Sequence, residues 1–486
     1  MTLSSVSLPY LFIKEDIMSS PEKKPTANTK IKFALMSLIG VFLFMVPLPD
    51  GEGAFNIPLG FAIGWIGGLL NRVTINDYGL VFLMAAVFIT LSLCGTILAY
   101  TVKPGFIMNN EKIKDLFHCN IVYLISKIIG FALVWMVFFQ IGPAVILDPF
   151  DGAGLMMSLI SGSTGLIAIF IVIGMAIPIL TDFGLMEFLG TLIRKAMRAL
   201  FTLPGRSSID LLGSWFSSSA ASVMITRDQH ERGYYTDREA AAICVNFTIV
   251  SLPFTFFIAG FIDLMGHFPI FYLVITLTTL ALAVIMPRIW PLRGIKDEYL
   301  SVVGKQIKEE ADTGGTLVSR AVNLAASRAS QTGATDVIKS GLHNWLNIFM
   351  DLIPVILAWG TIALILEAQT PIFDILAWPF RWMLELFRVQ GAAEYAATTV
   401  VGFVDMFIPA ILLSIPDAYG NLAPTETRFI LGALSIVQII YMAETGILIL
   451  KSKMPLHIGH LLILFVMRTV LALPLIVLMT RVFANF

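Results

Sequence analysis

The chain has 486 residues, of which 57% are hydrophobic and 13% are charged, and its formal net charge is −1. Soluble domains carry roughly 25% charged residues, so this composition predicts a polytopic membrane protein. A nearly neutral chain gives no case for nucleic acid binding. The three cysteines lie far apart in sequence and indicate neither a disulfide framework nor a metal site. We expect an all-α fold with about 9–11 spans or re-entrant segments.

The N-terminal part consists of a polar tail followed by several apolar segments. Residues 1–32 are polar and rich in lysine near their end, so the positive-inside rule places them in the cytoplasm. We expect residues 1–17 to be an extension with no structural role. The region 33–150 is predicted to hold the first membrane helices, at 33–48, 79–101 and 119–147, with a short glycine-rich segment at 57–71 that spans, re-enters or lies at the interface.

The region 151–289 forms the first of two similar units. The stretch 148–165 is acidic and lacks Lys and Arg, which predicts an external loop. Residues 184–202 carry three basic residues on an amphipathic helix, and we expect this helix to lie on the cytoplasmic surface. The other predicted elements are a span at 166–181, a polar segment at 207–225, and two spans at 240–263 and 268–287.

The segment 207–225 is too small and polar to face lipid. If it forms one helix, Ser214, Ser218 and Ser222 lie on one face, because residues four apart stack along a helix. The basic stretch from Arg194 to Arg206 precedes this segment, and the basic loop that starts at Arg288 follows two spans later, so both ends of the segment are predicted to be cytoplasmic. Hydroxyl-rich segments at membrane depth are tolerated only inside protein or beside a water-filled cavity. Two interpretations stand: a tight helix–helix contact, or a re-entrant hairpin that carries a solute site.

A polar connector at 290–344 joins the first unit to the second, which covers 345–486. Helical stretches are expected in the connector near 296–310 and 316–330. The loop 416–427 is acidic, lacks Lys and Arg, and is expected outside. The second unit is predicted to contain a span at 345–366, an amphipathic helix at 371–388, an interrupted apolar stretch at 395–415, a returning span at 428–450 and a last span at 457–480.

The two units match in sequence as well as in the order of elements. LIRKAMRALFTLPG at 192–205 aligns with WPFRWMLELFRVQG at 378–391, so that Gly205 falls on Gly391. The charges place the surface helix of the first unit inside and that of the second unit outside. This pattern predicts an inverted-topology repeat, a construction that recurs in secondary transporters with the site at the repeat interface.

Three runs of the sequence resemble a known family. LMEFLGTLIRKAMRALFTLPGRSSIDLLGSWFSSSAASVMIT, GYYTDREAAAI and IMPRIWPL are similar to the YjiH family of bacterial inner-membrane proteins, which carries the nucleoside-recognition or Gate domain. The resemblance implies transport and a place in the bacterial inner membrane, and it makes the two units Gate-like repeats. The substrate motif of nucleoside transporters is not matched residue by residue, so the resemblance does not name the solute.

Ionisable residues inside apolar segments are the first candidates for chemistry, because burying them costs roughly 2.5–3.5 kcal/mol on insertion scales. Asp405 lies in an interrupted stretch, where it is expected to bind solute or a coupling ion. Glu444 and Asp351 lie in the returning and outgoing spans and are expected to couple H⁺ or Na⁺. Arg468 in the last span would neutralise one of these acids. Structural salt bridging is the alternative for all four.

Amide and hydroxyl side chains complete the predicted solute site. Gln438 and Thr445 are seven residues apart and would share a helix face. Asn246 precedes Pro253 by seven residues, and an interrupted helix there would expose carbonyls to a cation or solute. The predicted substrate-binding residues are Ser217, Ser218, Ser219, Ser222, Asn246, Asp405 and Gln438, with Thr248 and Ser251 as further candidates.

These patterns predict a secondary active transporter of a small polar organic solute, coupled to H⁺ or Na⁺, with the site between two interrupted segments. The alternative is a non-transporting scaffold subunit that works with a second Gate-domain protein. The sequence shows no nucleophile–base pair, phosphate loop or ligand cluster, so we expect neither an enzyme, a cofactor nor a metal site. The expected partners are the solute, the coupling ion, the lipid bilayer, and a second copy or a small Gate-domain protein.

Overall fold

The computed structural model is helical over most of the residues that it describes. Those residues are 26–49, 55–70, 72, 74–75, 78–109, 111–117, 119, 121–147, 166–216, 219–248, 251–300, 304, 316–347, 349–350, 353–415, 422–452 and 454–484. Two short antiparallel ribbons pair Leu48–Pro49 with Phe55–Asn56 and Thr74–Ile75 with Tyr78–Gly79. The predicted all-α membrane fold is confirmed.

The α-helices are numbered in chain order. The N-terminal ones are α1 (Ala27–Met45), α2 (Pro58–Leu70), α3 (Leu80–Thr101), α4 (Gly105–Met108), α5 (Glu111–Phe117), α6 (Ile121–Phe139), α7 (Ala144–Leu147) and α8 (Leu166–Thr181). Next come α9 (Leu185–Phe201), α10 (Ser208–Phe216), α11 (Ser219–Glu231), α12 (Asp237–Asn246), α13 (Leu252–Phe261) and α14 (Phe268–Ile285). The remaining ones are α15 (Leu317–Gln331), α16 (Ala334–Asn347), α17 (Ile353–Gln369), α18 (Ile372–Leu386), α19 (Thr398–Val401), α20 (Ile408–Leu413), α21 (Thr425–Gln438), α22 (Ile447–Lys451) and α23 (Ile458–Phe483).

Four helical runs among the described residues are long and apolar enough to cross a bilayer. They are Ala27–Met45 (α1), Leu80–Thr101 (α3), Met265–Gly294, which consists of α14 and the short 3-10 turns around it, and Ile458–Phe483 (α23). A fifth span follows if the consecutive helices α8 and α9 count as one broken span. Other apolar helices, such as α13, are shorter than the ~20 residues that a straight span needs. The chain is therefore a multi-pass membrane protein in which several apolar segments are interrupted.

The chain divides into two compact units, each assembled from separate stretches. Unit 1 comprises Met1–Gly40, Phe61–Phe183 and Ala326–Gln369, and unit 2 comprises Val41–Gly60, Gly184–Ala325 and Thr370–Phe486.

Unit 1 is built on close contacts between apolar helices. Helix α6 packs against α3 and α17. A Cβ added at Gly130 on α6 would lie 2.8 Å from the Pro354 carbonyl oxygen, so only glycine lets the two backbones approach this closely. Nearby, Trp359 donates from Nε1 to Ser126 Oγ at 2.9 Å, which pairs two polar atoms inside an apolar interface.

Unit 2 contains two series of elements in the same order. An amphipathic helix comes first, α9 in one series and α18 in the other. Two consecutive helices packed on each other follow, which we call hairpin 1 (α10 and α11) and hairpin 2 (α19 and α20). An interrupted apolar segment and then a long helix, α14 or α23, complete each series. The inversion of the second series relative to the first stays a prediction.

Broken span 1 (237–261) is interrupted by a proline-led restart. Helix α12 begins with a capping box between Thr236 and Glu239 and ends at Asn246. Helix α13 starts directly after its cap, Ser251, with a proline in its first turn. Proline lacks an N–H and clashes with the preceding turn, so a continuous helix through this point would lose hydrogen bonds.

Broken span 2 (425–451) is interrupted by a strained turn. Helix α21 ends at Gln438, and Ile439 adopts a φ of 62°. The N–H of the residue after it donates to the Gln438 carbonyl at 2.6 Å, which closes a γ-turn. A β-branched residue at positive φ costs on the order of 1–3 kcal/mol. A π-helical turn at Met442–Gly446 then leads into α22. Gln438 and Thr445 therefore do not share one helix face as expected, because the γ-turn separates them.

The polar segment at 207–225 is not one helix. Helix α10 ends at Phe216 and helix α11 begins at Ser219, so the predicted stripe of hydroxyls is divided between two helices. Ser214 belongs to α10 and Ser222 to α11. Ser222 Oγ donates to the Asp210 carbonyl twelve residues earlier, so α11 folds back on α10. Both interpretations of this segment, a tight helix–helix contact and a hairpin that carries a solute site, stay open.

One stretch of the connector, residues 296–300, forms no helix. The helix expected near 296–310 is therefore wrong for these residues, and residues 301–310, apart from Gly304, lie outside the described ones. The physical reason is a tie to the start of α12, where Thr236 Oγ1 donates to the Asp297 carboxylate at 2.7 Å. The helix expected at 316–330 is confirmed as α15.

The matched order of elements predicts that the two amphipathic helices label from opposite sides of the membrane. In a background without the three native cysteines, Arg198→Cys on α9 should react with a membrane-impermeant thiol reagent only from the cytoplasmic side. Arg381→Cys on α18 should react only from outside. Both native side chains are exposed. Right-side-out and inside-out vesicles give the two measurements, and labelling of both variants from one side would contradict the inverted repeat.

Candidate functional site

The two broken spans and the last helix of unit 2 meet at the side chain of Arg468. This side chain is fully buried. Its Nη1 donates to the Val245 carbonyl and to Asn246 Oδ1, both at 2.9 Å. Its Nε and Nη2 donate to the Val437 carbonyl at 3.1 and 2.8 Å. One guanidinium group therefore joins the last turn of α12 to the last turn of α21.

Gln438 connects the same junction to hairpin 2. Its Nε2 donates to the Thr399 carbonyl at 2.7 Å and to Thr469 Oγ1 at 2.8 Å. A backbone carbonyl only accepts, so the Thr399 contact determines which end of the amide carries the nitrogen. The amide oxygen then lies over Gly402, where an added Cβ would approach it to 2.4 Å. The absence of a side chain at Gly402 is what leaves room for this oxygen.

Both hairpins hold the break in span 2. Tyr441 lies in the break, is buried, and donates from its hydroxyl to Ser219 Oγ of hairpin 1 at 3.0 Å. The Met442 N–H donates to the Phe403 carbonyl of hairpin 2 at 2.8 Å. Groups from both series of elements therefore converge on the strained turn of broken span 2.

Two buried polar atoms that flank this break have no hydrogen-bond partner in the part of the chain that the structure describes. They are Gln438 Oε1 and Thr445 Oγ1. Gln438 is 1% exposed and Thr445 is 0% exposed, so bulk water does not reach either side chain. A buried polar group left unpaired costs about 1–3 kcal/mol, and native proteins keep few of them. A polar solute seated at the break would supply the missing partners.

Asp405 lies in the turn of hairpin 2, between α19 and α20. Its Oδ1 accepts the Phe407 N–H at 2.8 Å, a local contact that shapes the turn. The ion pairs found among the described residues do not include Asp405. A carboxylate can accept several hydrogen bonds, so this one contact does not use up its acceptor capacity.

Hairpin 1 has a buried polar cluster of its own. Ser222 Oγ donates to the Asp210 carbonyl at 3.1 Å, and Thr226 Oγ1 donates to the Asp210 carboxylate at 3.2 Å. The Tyr235 hydroxyl also donates to this carboxylate. Burial and the Asp210 charge raise the pKa of Tyr235 well above its usual range, so the hydroxyl keeps its proton. The contacts of Ser222 thus lie inside hairpin 1.

The predicted site residues fall into three groups: those around Arg468, those within the hairpins (Asp405 and Ser222), and those outside the described residues. Asn246, Gln438 and Ser219 gather around Arg468 and the break in span 2. Arg468 does not pair with Asp405, the one described side chain among the acids expected to neutralise it. Its partners in the described structure are carbonyl and amide oxygens. Outside the described residues lie Ser217, Ser218, Asp351 and the side chain of Glu444.

Sequence reasoning missed three residues that complete the junction: Thr399, Tyr441 and Thr469. Tyr441 sits in the run IVQIIYMAETG, where a tyrosine resembles an ordinary core residue. Thr469 directly follows Arg468, and its position next to a charged residue in an apolar span was the one feature of the sequence that could have indicated it. Thr399 contributes through its backbone carbonyl, which no side-chain pattern reports.

A methyl group at position 402 should disturb the Gln438 amide. We predict that Gly402→Ala lowers the free energy of unfolding by about 1–3 kcal/mol, because the added Cβ overlaps the amide oxygen and forces the side chain to move. Adding Gln438→Ala to this variant should cost less than Gln438→Ala costs in the native chain. Thermal or denaturant unfolding of the purified variants gives the values.

Gly213→Ala on α10 is the matched control, since a Cβ there would make only an ordinary contact at 3.6 Å. It should leave stability nearly unchanged. Full additivity of the two substitutions at 402 and 438 would show that the predicted contact between them is absent.

The sequence and the structure of this chain are similar to those of known proteins. The model of the Gate family, described as nucleoside recognition, matches residues 163–268, which include hairpin 1 and broken span 1. A solved structure titled as CNTnw in an inward-facing substrate-bound state covers 93% of this chain and 99% of its own, with 14% identity and a TM-score of 0.38. An uncharacterized protein of Alkalihalophilus pseudofirmus (strain OF4) is 41% identical over 473 residues, which are 97% of this chain and 98% of that protein. With this identity over nearly the whole of both chains, the protein belongs to the same family as its Alkalihalophilus pseudofirmus relative.

Proposed function

We propose that the chain is a secondary active transporter that moves a small polar organic solute across the membrane, coupled to H⁺ or Na⁺. The observation that carries the proposal is broken span 2, where Gln438 and Thr445 present buried polar atoms without a partner among the described residues, at a break held by both hairpins. Interrupted helices near the membrane midplane are where secondary transporters bind solutes and ions. The Gate match supports the proposal through its description, nucleoside recognition.

The solute site is assigned to the groups around this break. Ser219, Asn246 and Gln438 offer hydroxyl and amide groups, which both donate and accept hydrogen bonds. Such a lining suits a neutral or zwitterionic solute with several polar atoms, a class that includes nucleosides. Asp405 in the hairpin 2 turn adds a carboxylate. The assignment extends to Ser217, Ser218 and Ser222, which belong to hairpin 1 or adjoin it in sequence.

Coupling is assigned to the acids. Burial penalises the charged form of a carboxylate, so an acid in an apolar segment readily takes up a proton. Glu444 lies in the π-helical turn directly after the break, where a proton taken from water would influence the solute site. Asp405 and Asp351 are the other candidates for a proton or Na⁺.

The proposal places the chain in the bacterial inner membrane with a cytoplasmic N-terminus. Lysines before the first span favour this orientation. Membership of the YjiH family, which the three quoted runs favour, is part of the same proposal. The partners are then the solute, the coupling ion and the bilayer, with a second copy or a small Gate-domain protein as a further subunit.

Removing the Glu444 carboxylate should separate coupling from binding. We predict that the native protein in proteoliposomes accumulates at least one solute from a panel of nucleosides, nucleobases, amino acids and small carboxylates under a proton or Na⁺ gradient. Glu444→Gln should lose gradient-driven accumulation at least tenfold, equivalent to about 1.4 kcal/mol, while solute exchange continues. Radiolabelled uptake and exchange measure the two.

Glu385→Gln is the matched control, because Glu385 lies on exposed α18 and pairs with Arg381. This variant should transport like the native protein. Full accumulation by Glu444→Gln would move coupling to another acid. Absence of uptake for the whole panel under both gradients would contradict transport and favour the scaffold alternative.

A further inference from the structure

Arg468 is a buried cation without a carboxylate partner in the described part of the chain. It lies about 15 Å from the start of α23 and about 22 Å from its end, at 1.5 Å per residue. All the hydrogen bonds found for it go to neutral oxygens. An arginine near the middle of a membrane span is costly, so such residues pair with an acid or mark a functional site.

Arg428 in the same unit shows the more usual arrangement. It is buried, and its Nη1 donates to the Ile262 carbonyl at 2.6 Å and forms an ion pair with the Asp263 carboxylate at 3.2 Å. The Asp263 side chain is 78% exposed, so this pair reaches the protein surface. Arg468 has neither an acid partner among the described residues nor an exposed side chain, so neutral groups must stabilise its charge.

The ends of two half-helices supply that stabilisation. Val245 lies in the last turn of α12 and Val437 in the last turn of α21, where carbonyls have no partner within the helix. Each helix C-terminus carries the equivalent of roughly −0.5 elementary charge, so two of them together offset about one positive charge. Half-helix ends and unwound carbonyls are also the places where transporters bind coupling cations.

We propose that Arg468 is a tethered cation that occupies the junction of the α12 and α21 ends in place of a coupling metal ion. It is a positioning residue: Nη1 binds the end of α12, while Nε and Nη2 bind the end of α21. The rigid planar fork of a guanidinium suits this double contact. The claim that Arg468 replaces a coupling ion rests on the proposed transport function. The claim that Arg468 joins the two helix ends rests only on these hydrogen bonds. Na⁺ does not enter the junction, and coupling takes place elsewhere.

Removing the side chain should leave a vacant cation site. Arg468→Ala leaves the Val245, Val437 and Asn246 oxygens without their donor and opens the space of one guanidinium group. Guanidinium chloride at millimolar concentration should raise the melting temperature of this variant saturably and restore its solute exchange. Urea has the same planar shape and N–H donors but no charge, so it should do neither.

Two control variants isolate the junction. Arg468→Leu fills the space, so guanidinium should not stabilise it. Arg481→Ala lies on the same helix at a side chain that is 44% exposed and paired with Glu426, and it should also show no rise. Equal rescue of Arg468→Ala by urea would show that hydrogen bonding alone is needed, and an equal rise in the controls would show general stabilisation. Either result overturns the proposal.

A failure of Arg468→Ala to survive purification is itself informative. Extraction in guanidinium should then recover the variant, and extraction in the same concentration of potassium chloride should not. No recovery in either salt would contradict a vacant cation site. Since melting and yield need no transport, a protein that carries none of the tested solutes still answers the question about Arg468.

Discussion

Unit 2 depends on one constraint: a helix that breaks inside an apolar fold leaves backbone carbonyls that lipid cannot pair. The breaks after Asn246 and Gln438 both create such carbonyls. A single buried side chain, Arg468, donates to the last turns of both helices, and the partial negative charges of the two helix ends in turn stabilise its positive charge. The breaks and the buried arginine therefore each lower the cost of the other.

The two breaks differ in what they leave unpaired. Beside broken span 1, Asn246 Oδ1 accepts from Arg468, and its Nδ2 donates to the Ala242 carbonyl at 2.9 Å. Beside broken span 2, Gln438 Oε1 and Thr445 Oγ1 remain unpartnered within the described structure. The strained turn and these two atoms place the solute at the second break in our proposal, while the first break serves as its support. Strain and unpaired polar groups tend to persist where function requires them.

Features that depend on local pattern could be predicted from the sequence, and those that depend on distant contacts could not. The amphipathic helices expected at 184–202 and 371–388 appear as α9 and α18, because a polar and an apolar face repeat within each segment. The pairing of Tyr441 with Ser219 joins residues 222 positions apart. No periodicity within one segment reports such a partner, which is why Arg468 was expected to meet an acid instead of two helix ends.

The most direct test of a solute site at broken span 2 uses Thr445→Val, which removes at nearly constant volume a hydroxyl without a partner in the described part of the chain. Without solute, the variant should be as stable as the native protein or more stable, because a buried unpaired group is lost. The rise in melting temperature that a bound polar solute gives the native protein should shrink or disappear. Thr480→Val removes another unpartnered buried hydroxyl on α23 and should keep the full solute-induced rise. A full rise in Thr445→Val, or an equal loss in Thr480→Val, would contradict the account.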